Sequence, residues 1–316
     1  MFQLKRLNKM INKIKKIIFK KFFERKILLL GRSHFLNYRP KYKSLKNISD
    51  LDYKVFSQNG EDGIIDYLLF SLNIVTPKFI EIGIGNYEES NTRYLFETTN
   101  SKGLIIDCMK NLKTEVLRST KLWRGDLKII EDFVDSENIN KILEENSFNK
   151  EIDLFSLDID GIDYWVLKKI PNNFSKIIVA EYNSNFGHEL EITVPNIKRF
   201  NRNKYHYSNL CFGTSLKALI NLLEKKNYTF IGTDNSKLNA FFVSNLELNK
   251  INLDIPNKNN LQKFTNSNLR ESRDKNGNLS YLSGNKKINE IKDCEIIDVS
   301  NNEEKLITIK ELYDLK

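Results

Sequence analysis

A buried-strand pattern that breaks directly into two glycines, Phe79-Ile-Glu-Ile-Gly-Ile-Gly85, constrains this chain more than any other segment. A second apolar run, Gly103-Leu-Ile-Ile-Asp107, ends in a carboxylate 22 residues after Gly85. A strand, a glycine turn, a helix opening near Ser90-Asn91 and a second strand with an acidic end form a pattern that suits a nucleotide-like ligand. The glycines let backbone come close to such a ligand, and the acid accepts its ribose hydroxyls. Glycines also follow many strands that bind nothing, so a plain turn is the alternative. The third position of a dinucleotide fingerprint falls at Glu88, where a bulky acid beside a pyrophosphate is unfavourable. The loop therefore suits a nucleoside without pyrophosphate, such as S-adenosylmethionine, better than NAD.

The same alternation runs through the body. Strands are expected at 78–83, 103–107, 127–131, 153–159, 176–182, 228–232 and 238–243, with helices at 90–99, 110–119, 136–145, 162–169 and 214–225. Ser57-Gln-Asn-Gly-Glu-Asp62 reads as a helix start, followed by Ile64, Ile65, Leu68 and Leu69 at helical spacing. Runs such as Leu154-Phe-Ser-Leu157 and Ile177-Ile-Val-Ala180 suit strands covered on both faces. The short Asp234-Asn-Ser turn joins the last two strands as a hairpin, which makes the final strand antiparallel. The expectation is an α/β fold: a doubly wound, mostly parallel Rossmann-type sheet with a C-terminal antiparallel hairpin, the class I methyltransferase layout. In such sheets ligands lie beyond the carboxyl ends of the strands.

The net charge of +9 is not evenly spread. Residues 1–46 carry 15 Lys and Arg against the single acid Glu24, so the rest of the chain is net acidic. A nucleic-acid reader concentrates positive charge on its folded domain, so nucleic acid is not an expected partner. Within this leader Leu4, Leu7, Ile11, Ile14, Ile18 and Phe22 recur at helical steps, as do Lys5, Lys9, Lys13, Lys16 and Lys20 on another face. Such a helix suits an anionic membrane surface, engaged through residues 1–30. A helix packed on protein and a partly disordered tail are the alternatives. The longest apolar run, Ile27-Leu-Leu-Leu30, is too short to span a bilayer or to form a signal-peptide core. Cys108, Cys211 and Cys294 lack CxxC spacing, which speaks against a zinc site or disulfide scaffold and suits a reducing compartment. A cytoplasmic protein, peripheral at the inner face of the membrane, is the expected location.

Acids crowd two strand ends. Leu157-Asp-Ile-Asp-Gly-Ile-Asp-Tyr164 puts Asp158 and Asp160 at i, i+2, with Asp163 placed to cap the next helix. The adjacent strand ends Glu181-Tyr-Asn183. Carboxylates side by side raise one another's pKa and make a general base or a hard-cation site. Residues 184–212 form a long insertion that carries Phe186, His188, Phe200, Tyr205, His206 and Tyr207, either a lid or a surface loop. No nucleophile elbow is present. After residue 245 the chain turns polar, and Lys275-Asn-Gly-Asn278 reads as a turn between Leu269-Arg-Glu-Ser-Arg273 and Leu279-Ser-Tyr-Leu282.

The segments Ser57-Gln-Asn-Gly-Glu-Asp-Gly, Phe79-Ile-Glu-Ile-Gly-Ile-Gly, Asn91-Thr-Arg-Tyr-Leu, Leu157-Asp-Ile-Asp-Gly-Ile-Asp-Tyr, Glu181-Tyr-Asn, Gly213-Thr-Ser-Leu and Asn239-Ala-Phe-Phe-Val resemble bacterial methyltransferase-like proteins of the FkbM group. Arg270-Glu-Ser-Arg-Asp274 looks like the same group's tail, and the resemblance covers roughly 54–300. Asp158 and Asp160 stand where that group carries Asp-x-Glu-Gly, with Asp in place of Glu. The resemblance implies an S-adenosylmethionine-dependent O-methyltransferase of the kind found with sugar and polyketide tailoring enzymes. Together with the glycine-loop reading it assigns cofactor contacts to Glu81, Gly83, Gly85, Asn91, Asp107, Asp135 and Asp158. Proton removal would fall to Asp160, Glu181 or His188, with Asn183 orienting a sugar hydroxyl of a glycan or glycolipid precursor. A divalent cation is an open addition. A non-catalytic binding protein on the same fold is the alternative. The expected organisation is a leader at 1–46, an α/β domain at 47–245 and a polar appendage at 246–316.

Overall fold

A computed structural model describes residues 2–265, 267, 271–301 and 304–314. Two compact units emerge, residues 1–43 and 44–316. The first contains helix α1 (Phe2–Tyr38), so the leader is helical as expected. Of its two stripes the side chains of Leu4, Leu7, Ile14, Lys5, Lys9, Lys13 and Lys16 lie outside the described residues, while Ile11, Ile18 and Phe22 are exposed, as are Phe19 and Phe23. Among the described residues no helix is long and apolar enough to cross a membrane.

The second unit is built on strands β1 (Lys78–Ile82), β2 (Lys102–Asp107), β3 (Asp126–Glu131), β4 (Ile152–Leu157) and β5 (Ser175–Glu181). After β6 (Ile192–Thr193) come β7 (Tyr228–Thr233) and β8 (Asn239–Ser244). Seven of these form one sheet in the order β3-β2-β1-β4-β5-β8-β7. The first five are parallel, and β8 runs antiparallel between β5 and β7. This is the Rossmann-like class I methyltransferase fold, with strand boundaries one or two residues from those expected.

Helices α2 (Glu61–Ser71), α3 (Arg93–Thr98), α4 (Leu112–Ser119), α5 (Ile139–Glu145) and α6 (Asp163–Lys169) precede or link the first five strands. The short α7 (Arg202–Tyr205) lies in the insertion and α8 (Leu216–Glu224) leads into β7. Helix α8 starts at Ser215, whose hydroxyl accepts from the Ala218 N–H as an N-cap. Helix α3 starts at Arg93, later than the expected 90, because Ser90, Asn91 and Thr92 are drawn out of helical bonding by Glu81. The core is apolar on both faces of the sheet: Ile80, Leu104, Phe155 and Ile178 are fully buried, and so are their neighbours Phe79, Ile105, Leu154 and Ile177. Burial on both faces is why these strands read as continuous apolar runs.

The C-terminal residues are more structured than an appendage. Helix α9 (Asn285–Glu290), β9 (Glu295–Asp298), β10 (Lys305–Thr308) and α10 (Ile309–Asp314) follow β8, and β10-β9-β6 form a second, antiparallel sheet. β6 comes from the insertion, so this sheet joins residues 184–212 to the C-terminal segment, and Ile291, Ile296, Ile307 and Ile309 are buried there. No compact-unit boundary falls at 245. The turn at 275–278 forms as expected, with Arg273 bridged to Leu279, while Leu269 and Arg270 lie outside the described residues.

Candidate functional site

Strand register builds the site. Ile82 pairs with both Ile106 and Leu157, Leu157 pairs with Ala180, and Asp107 pairs with Glu131. One step further along, a single row therefore crosses the carboxyl ends of five strands: Glu131, Asp107, Gly83, Asp158 and Glu181. Four carboxyl groups flank one glycine. Gly83 has φ +85°, and a Cβ there would lie 1.5 Å from the Asp158 carbonyl oxygen. The first glycine is thus required by close backbone approach at the middle of the row. Gly85 also has positive φ, +55°, but a Cβ there would meet nothing within 4 Å, so its open side faces free space. A cavity of about 310 Å³ lies over the row, lined among others by Gly83, Gly85, Asp107, Asp158, Asp160 and Phe200.

On one side of Gly83 the acids are held by backbone donors. Asp107 accepts the Gly85 N–H and the Met109 N–H, each at 2.8 Å, and Glu131 accepts the Leu112 N–H at 3.2 Å. On the other side no backbone N–H among the described residues donates to the Asp158 or Glu181 carboxyl. Their ligand oxygens come within 4.8 Å of each other. Burial, then the charges of Asp160 and Asp163, pushes Asp158 well above the usual carboxylate range, and burial, then the charge of Asp158, does the same to Glu181. Glu181 is 8% exposed, and its Oε2 has no partner.

Asp160, at φ +53°, is the exposed member and is ion-paired with Arg202 of α7. Arg202 also lies 3.8 Å from Glu271 and stacks over the Phe212 ring at 4.4 Å. Asp158, Asp160 and Glu181 offer ligand oxygens within 4.8 Å of one another, a grouping compatible with a cation. Arg202 already brings a positive charge to it. No local pattern marks Arg202, which lies 42 residues beyond Asp160 in the insertion. Phe200 packs over Gly161, where a Cβ would come within 2.5 Å of its ring, and this fixes one wall of the cavity.

Other expected site residues are engaged in holding loops. Glu81 is buried and accepts Ser90 Oγ, the Asn91 N–H, and both the N–H and Oγ1 of Thr92. Asn91 donates to Ser156 Oγ. Asp135 accepts the Glu137 and Asn138 N–H groups ahead of α5. Asn183 donates to the Leu210 and Phe212 carbonyls and accepts the Asn185 N–H, so its amide is fully occupied. Asp163 accepts from Ile159 and Gly161, in the loop before its helix, and burial raises it to about 6. His188 sits beside Glu189 at 3.8 Å, away from the cavity walls. His206 bonds Ser208 and Tyr207 bonds Glu290, again away from the row. The cavity adds walls the sequence did not single out: Cys108, Asp132, Phe133 and Val134.

No family model matches the chain. No curated protein matches it either. Among solved structures, the N-terminal domain of EvdMO1, crystallised in the presence of SAH and D-fucose, is 13% identical, with 58% of this chain and 82% of that chain covered at a TM-score of 0.36. The cyclopropane synthase MmaA2 from Mycobacterium tuberculosis is 12% identical, covering 57% and 66% at 0.33. Spermidine synthase from Thermotoga maritima is 10% identical, covering 78% and 74% at 0.30. Likeness at this level assigns no activity to this chain.

Proposed function

We propose that this chain is an S-adenosylmethionine-dependent O-methyltransferase acting on a sugar hydroxyl of a glycan or glycolipid precursor at a membrane surface. The observation that carries the reading is the five-strand row, with a backbone-held acid on one side of Gly83 and a close pair of acids raised by burial on the other. The nucleoside side fits the cofactor: open space beyond Gly85, the Asp107 carboxylate for ribose hydroxyls, and Asp132 and Phe133 on the same wall for a base. When bound, the cofactor's sulfonium supplies an electrophilic methyl group.

On the acid side, Asp158 lines the cavity and is the group placed to take the acceptor's hydroxyl proton. Its raised pKa makes it a stronger base than an ordinary carboxylate. Asp160 is the weaker candidate because Arg202 holds its charge. Arg202 brings a positive charge to Asp160, and on this reading transfer does not require added metal. Phe200 offers an apolar ring wall suited to a sugar face. Exposed Ile18, Phe19, Phe22 and Phe23 on a leader rich in Lys and Arg support engagement of anionic lipid.

Incubating the full-length protein with labelled cofactor and a panel of sugar acceptors tests the activity. Label transfer that survives chelation but fails with Asp158→Asn supports the reading. Cofactor binding without transfer to any acceptor favours a non-catalytic binding protein. Sedimentation with phosphatidylglycerol but not phosphatidylcholine vesicles tests the membrane part; equal sedimentation with both contradicts it.

A further inference from the structure

Two of the three cysteines, Cys211 and Cys294, are distant in sequence but meet in the fold. Strand β6 is flanked on one side by the Thr214 segment and on the other by β9: Thr193 bridges Thr214 and also pairs with Ile297. Cys211 and Cys294 lie three residues before these two partners. Beyond Thr193 the intervening strand ends and Pro195 follows. The two thiols interact with each other, which raises Cys211 and lowers Cys294. Both cysteines belong to the same buried cluster, Cys211 fully enclosed and Cys294 8% exposed.

The backbone on each side is pinned. Asn183 donates to the carbonyls of both neighbours of Cys211, Leu210 and Phe212, at 2.8 Å each. The Cys294 N–H donates to Ile291 and its carbonyl accepts from Ile309, while the Tyr205 hydroxyl donates to the Glu295 carbonyl. The backbone that carries each thiol is therefore held in place, with little freedom to lose on bonding.

We propose that Cys211 and Cys294 form a reversible disulfide, made by exchange with a small-molecule disulfide such as glutathione disulfide, that staples the C-terminal sheet to the loop ahead of α8. The more exposed Cys294 attacks as thiolate, forming a mixed disulfide and releasing one glutathione. Cys211 then attacks the Cys294 sulfur, forming the internal S–S bond and releasing the second glutathione. Two cysteine thiols lose two electrons and two protons, and one glutathione disulfide gains them. The Cys211 hydrogen bond lowers the Cys294 thiol, which suits it to the first step, and raises Cys211 itself. Asn183 bonds both neighbours of Cys211 and lies two residues after Glu181, so the staple stiffens the chain behind the acid pair.

The test is to treat the full chain with glutathione disulfide, denature it under acid and count free thiols, then map peptides without reduction. The reduced protein contains three thiols. The expected result is one remaining thiol, a Cys211–Cys294 cross-linked peptide, reversal by dithiothreitol, and a Tm at least about 5 °C higher in the oxidised form. The exposed-site variant Cys108→Ser should go from two thiols to none. Three thiols surviving, glutathione left on Cys294 with no internal link, or a cross-link involving Cys108 overturns the proposal.

Discussion

The two halves of the acidic row differ although they are made of the same residue types at equivalent strand ends. At β2 and β3 a loop returns with its N–H groups pointing at the carboxylates, so Asp107 and Glu131 each gain backbone partners. At β4 and β5 no backbone N–H among the described residues reaches the carboxyls. Burial and the neighbouring acids then push Asp158 and Glu181 well above the usual carboxylate range. An acid at a strand end is thus a ribose acceptor or a proton acceptor according to where the neighbouring backbone points. Gly83 lies between the halves and keeps them in one row.

The comparison breaks most sharply at Asp158. Asp158→Asn should lower methyl transfer by about 10²–10⁴-fold while S-adenosylhomocysteine binding is kept, the usual worth of a general base. Single-turnover label transfer beside calorimetric binding separates the two. Loss of both together would move Asp158 to the nucleoside half.

Next in size is the glycine between the halves. Gly83→Ala is expected to destabilise by about 3 kcal/mol or more, because strain at positive φ adds to overlap with the Asp158 carbonyl. Gly85→Ala should cost about 1–2 kcal/mol from strain alone. Denaturant midpoints read the difference, and equal costs would mean that the β1 and β4 ends are not held as close as the register places them.

The third test concerns pH. A carboxyl whose pKa is raised on folding binds its proton more tightly in the native state. Its stabilising contribution is present below the unfolded value of about 4.3 and is lost as pH rises through the raised value. Glu181→Gln cannot lose it. The Tm of Glu181→Gln relative to the parent should therefore climb as pH rises above about 4.3. A difference that stays flat with pH would show that Glu181 is not protonated in the fold. The same sign applies to Asp163, whose window runs from its ordinary 3.8 to about 6.

Much of this was legible in the sequence. Six of the seven strands of the main sheet stand out because most of their residues are buried, while the edge strand β3 is only half-buried and is legible from its place in the strand–helix alternation. The second sheet was hidden: β6 is two residues long, and β9 and β10 sit among Asn and Lys with no apolar period. Residue type also fails to reveal engagement. Glu81, Asp135 and Asn183 carry ligand-binding chemistry, yet backbone groups that arrive through tertiary folding take up their hydrogen bonds. Arg202 and the Cys211–Cys294 contact depend on where the insertion lands, which no local pattern encodes.

The central claim, that the β2 half of the row receives a nucleoside, is tested most directly by calorimetric titration of S-adenosylhomocysteine into the parent and Asp107→Ala. One site per chain is expected in the parent, with binding weakened by about 1.5–3 kcal/mol in the variant as charge-assisted bonds to ribose are lost. No binding to the parent, or equal affinity in both, would contradict the account.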